Sequence, residues 1–76
     1  MNIYLHTAEK LVQYLNLYER VKGVNFGDEE RVVIGGITAL TELLKEAEIP
    51  EEIKPGIEKI FYDLNEQQKN VIKGVL

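Results

Sequence analysis

The chain is 76 residues long, 45% hydrophobic and 29% charged, with no cysteine and a formal charge of −4 at pH 7. A single domain over residues 1–76 is expected; folding at this size hides only about 60% of the unfolded surface, and neither a disulfide nor a thiolate metal site can staple it. The acidic balance has the wrong sign for gripping phosphates broadly, no apolar run reaches the roughly 20 residues of a membrane span, and no basic run opens the chain, so a cytoplasmic protein free of membrane and nucleic acid is expected.

The first predicted helix covers about residues 3–22. Its larger apolar residues fall at Tyr4, Leu11, Leu15 and Tyr18, flanked by Ala8, Val12 and Val21, at the three- and four-residue steps of one helix face. Asn2 or Thr7 can cap its start, because a short side-chain oxygen accepts from the unpaired amides of a first turn. Arg20 and Lys22 suit the negative end of the helix dipole, and Gly23 suits the left-handed closing residue.

Val24 to Gly27 reads as a connection, and a second helix is expected over about 28–48, with Asp28 as its cap and Glu29 and Glu30 in its first turn. Val33, Ile37, Leu40, Leu44 and Ala47 mark one face, broadened by Ile34 and Leu43. The Gly35-Gly36 pair is its weak point, since each glycine costs about 1 kcal/mol in a helix interior. Ile49-Pro50 closes this helix, and Pro50 to Lys54 is a turn or one helical turn.

A third helix is expected over about 55–73, opening on Pro55 and striped by Ile57, Ile60, Phe61, Leu64, Val71 and Val75, with Ile72 alongside and Gln68 where an apolar residue would fit. Lys69, Lys73 and Gly74 repeat the ending of the first helix. Three amphipathic helices on short connections imply an all-α, up-down-up three-helix bundle.

Little in the chain supports catalysis. His6 is the one histidine and has no partner in sequence, so no catalytic, metal-binding or cofactor-binding residue is assigned. Gly35-Gly36 lacks the spacing and the Lys-Ser/Thr pair of a phosphate loop. With Ala39 a turn on, the pair instead makes a flat patch for close helix packing, inside the bundle or against another molecule. Glu42, Glu46, Glu48, Glu51 and Glu52 form an acidic corner at the second junction, and Tyr14 and Tyr18 share a side of the first helix. Tyrosine is enriched where proteins meet.

The segment Leu43-Leu44-Lys45-Glu46-Ala47-Glu48-Ile49-Pro50 with Ile53, Ile57 and Ile60 resembles a helix-turn-helix unit. That resemblance implies a small DNA-binding transcriptional regulator, yet Glu51, Glu52 and Pro55 stand where bases and phosphates would lie. The favoured reading is a non-enzymatic interaction or regulatory module, an inhibitor or adaptor, that docks another protein through Tyr14, Tyr18 and the acidic corner. A homodimer is expected, because Ile3, Leu5, Leu17 and Val24 lie off the main stripes and are costly to leave in water.

Overall fold

A computed structural model describes residues 2–23 and 27–76, and among these the chain is helical with no strand. The helices are α1 (Ile3–Val21), α2 (Gly27–Glu46), α3 (Lys54–Phe61) and α4 (Glu66–Val71). Asn2 is the cap of α1: its Oδ1 accepts from the amides of Tyr4 and Leu5 at 2.9 and 3.1 Å. Thr7 lies inside the helix, where its hydroxyl donates to the Ile3 carbonyl at 2.7 Å. At the other end the Lys22 amide donates to the Tyr18 carbonyl, and Gly23 follows at φ +75°, a conformation that glycine adopts without strain.

The second helix runs unbroken through Gly35-Gly36 because four buried side chains, Val33, Ile37, Thr41 and Leu44, anchor it on both sides of the pair. It already begins at Gly27, so Asp28 sits in its first turn beside Glu29 and Glu30 and does not cap it. The expected connection at residues 24–26, and Val24 with it, lies outside the described residues. Its other end comes at Glu46, two residues earlier than expected, and a turn closed by the Ile53 amide on the Pro50 carbonyl leads into α3. Lys54, not Pro55, opens that helix.

The expected third helix is two helices. At Asn65 the side chain accepts from the Gln68 amide at 2.8 Å, while Gln68 Oε1 accepts from the Asn65 amide at 3.0 Å. This reciprocal capping box starts a new helix in a new phase. The break turns Leu64 and Ile72 into the core and leaves Val71, which a continuous stripe would bury, 47% exposed.

Contacts fix the directions of the elements. Leu17 and Val21 lie near Asp28, Glu29 and Val32, and Tyr14 reaches Gly36, so α2 runs antiparallel to α1. Leu5 meets Gly56, and Asn16 Oδ1 accepts from Gln68 Nε2 at 3.0 Å, so the α3–α4 leg runs parallel to α1. Both α2 and α3 pack on α1, and no other pair of helices meets as extensively. The core is a single cluster in which Leu11, Leu44 and Ile57 are the largest side chains fully removed from water. Because α2 and α3 pack on α1 while α4 touches the other helices at few points, a groove is left open between α2 and α4.

Candidate functional site

The groove starts from residues whose helical phase puts them at the edge of the core. Leu15, Ile37 and Gln68 make its floor, and Tyr18, Ile34, Thr38, Gln67 and Val71 rise around it, enclosing about 330 Å³. A second hollow of about 220 Å³ shares Ile37, Thr38 and Val71 and extends the groove along α2 past Thr41, Glu42 and Lys45. The Ile34 and Val71 side chains that face each other across it are 43% and 47% exposed. Gln68 does double duty here, since its carbonyl oxygen closes the α4 capping box and its amide nitrogen reaches α1.

Thr41 is the unusual member. Its side chain is 6% exposed, and Oγ1 has no hydrogen-bond partner. A buried hydroxyl without a partner carries a desolvation cost, so Thr41 weakens the packing beneath the groove. At the opposite mouth Glu19 and Lys22 form an ion pair of 2.7 Å, and the hydrogen bond to the Glu19 carboxylate raises the Lys22 pKa above its ordinary value. The pair is solvated and contributes little to stability.

The structure separates the residues that the sequence grouped. Tyr18 and Glu42 enter the groove, whereas Tyr14 turns aside to pack on Gly36, with ring Cε1 3.3 Å from where a Gly36 Cβ would stand. Glu46, Glu48, Glu51 and Glu52 are exposed around the end of α2 and the turn that follows, and Glu51 is paired with Lys54 at 2.8 Å. The glycine pair is divided as well. Gly36 is the internal crossing point with α1, and Gly35 and Ala39 face outward, with nothing within 4 Å of a Gly35 Cβ.

No family model matches this chain, and no curated protein or solved structure is significantly similar to it.

Ile34, Thr38, Thr41, Gln68 and Val71 are among the groove residues that sequence reasoning did not assign to a site. Asn65-x-x-Gln68 is a legible capping signature, and it would have shifted Val71 outward. Thr41 carried no signal beyond lying on the core face of α2. Among the described residues no helix is long and apolar enough to cross a membrane, and no three His, Cys, Asp or Glu side chains converge as a metal site.

Proposed function

We propose that the chain is a cytoplasmic, non-enzymatic interaction module that works as a homodimer and docks a segment of another protein in the α2–α4 groove. The reading rests on the apolar side chains of Ile34 and Val71, which are open to water along a groove that continues past Thr38 and Glu42. A short peptide that lays an apolar side chain against Ile34 and Val71 removes that surface from water. Tyr18 offers a ring and a hydroxyl beside it, and Glu42 favours a cationic residue at the α2 end, offset in part by Lys45. The pairing of α1 with α2 supports one wall, and the Gln68–Asn16 hydrogen bond ties the other to α1.

Selection of peptides from a displayed random library against the full chain tests this, followed by amide shift mapping with the selected peptides. Shifts are expected at Ile34, Thr38, Thr41, Glu42 and Val71. Replacing Val71 with Asp is expected to weaken the peptides at least about tenfold, the worth of one buried apolar side chain, whereas Thr41→Val leaves the protein as stable or more so. Selected peptides that map elsewhere, or that bind the Val71→Asp protein equally well, would overturn the reading.

A further inference from the structure

The outward face of α2 is unpartnered. Val32 and Leu43 are 71% and 56% exposed, and between them Ala39 and Gly35 leave the helix surface low, with open space above Gly35. The molecule also has more surface than its mass predicts. Its accessible area is 5478 Å², against about 4,700 Å² for a compact protein of 8.7 kDa. That excess accompanies an elongated outline of 42 × 22 × 20 Å and leaves apolar surface for a partner to cover.

We propose that this face pairs with the same face of a second copy, the two α2 helices running antiparallel about a twofold axis beside Ile37 and Thr38. The inference rests on the reading of the chain as a self-associating interaction module, and it assigns the surface and the register. An isologous contact must be complementary to itself under reversal. The face is large at both ends and small in the middle, so reversal sets Val32 against the partner subunit's Leu43 and brings Gly35 and Ala39 of the two copies together, with low surface at the crossing. Charge follows the same rule along one flank. Arg31 is exposed and has no carboxylate within ion-pair distance among the described residues. In this register it falls between the partner subunit's Glu42 and the partner subunit's Glu46, and the symmetry makes the contact twice. Asp28 approaches the partner subunit's Glu46 at the outer end, the one unfavourable pairing.

Sedimentation of the full chain across a concentration series tests the proposal. The expected result is a monomer–dimer equilibrium that Ala39→Arg shifts to monomer, Ala39 being exposed in the single chain. Arg31→Glu alone and the Glu42→Arg, Glu46→Arg double variant alone each weaken the dimer at least about tenfold, on the scale of two lost ion pairs. Mixing these two variants restores association as a heterodimer, which no general loss of folding imitates. A wild-type monomer at millimolar concentration overturns the proposal, as does a dimer indifferent to Ala39→Arg or a mixture that stays apart. Circular dichroism confirms the fold of each variant. Groove peptides that still bind the Ala39→Arg monomer would separate failure of this interface from failure of the groove.

Discussion

One residue of helix turns the chain by about 100°, which is why Gly35 and Gly36 have different neighbours. Gly36 points toward α1, where the Tyr14 ring leaves barely room for a methyl group, and Gly35 points to solvent. Gly36→Leu is therefore expected to cost about 1–3 kcal/mol by overpacking, whereas Gly35→Ala gains about 0.5–1 kcal/mol of helix propensity. Urea denaturation at dilute protein concentration reads both, and equal losses would show that the two positions share one environment. The sequence announced a flat patch but could not divide it, because which side of a glycine faces a neighbour depends on where the other helices lie. Tyr14 and Tyr18 diverge for a similar reason: they occupy neighbouring turns of one side of α1, but one ring meets Gly36 and the other lines the groove.

At the scale of elements, the two long helices were legible because their apolar residues recur on faces that nothing interrupts. The cap at Asn2 and the left-handed Gly23 set the ends of α1 where short-range chemistry required. The third leg misled because Leu64, Val71 and Val75 keep helical spacing across a break. Asn65 decides the matter, since its side chain satisfies an amide that a continuous helix would have bonded to a carbonyl four residues back. Asn65→Ala is expected to cost about 1 kcal/mol, which lowers the melting temperature by about 4–8 °C in a domain of this size. The loss should fall on α4 first, seen as faster amide exchange from Gln68 to Ile72 than in α1. Uniform acceleration throughout the chain would mean that the capping box is not what holds α4 as a separate element.

For the whole molecule, the groove exists because α2 packs along α1 while α4 meets the other helices at few points, a relation between distant segments that no local pattern encodes. Charge was legible from the start, and the fold concentrates it where a nucleic-acid reader would need the opposite sign. The segment resembling a helix-turn-helix ends in α3, only eight residues long, approached through exposed Glu51 and Glu52 and carrying Pro55 in its first turn. Lys54, the nearest cation, is already paired with Glu51. A recognition helix must bring its first turns to base edges while neighbouring cations hold the phosphates, and each phosphate contact adds about one unit to the slope of affinity against salt. Here the phosphates would meet carboxylates. Titration against duplex DNA at low salt is accordingly expected to give no saturable binding. A complex that weakens steeply as salt rises would require cations to outnumber carboxylates on one face, and around the turn Lys45, Lys54 and Lys59 stand among Glu46, Glu48, Glu51, Glu52 and Glu58.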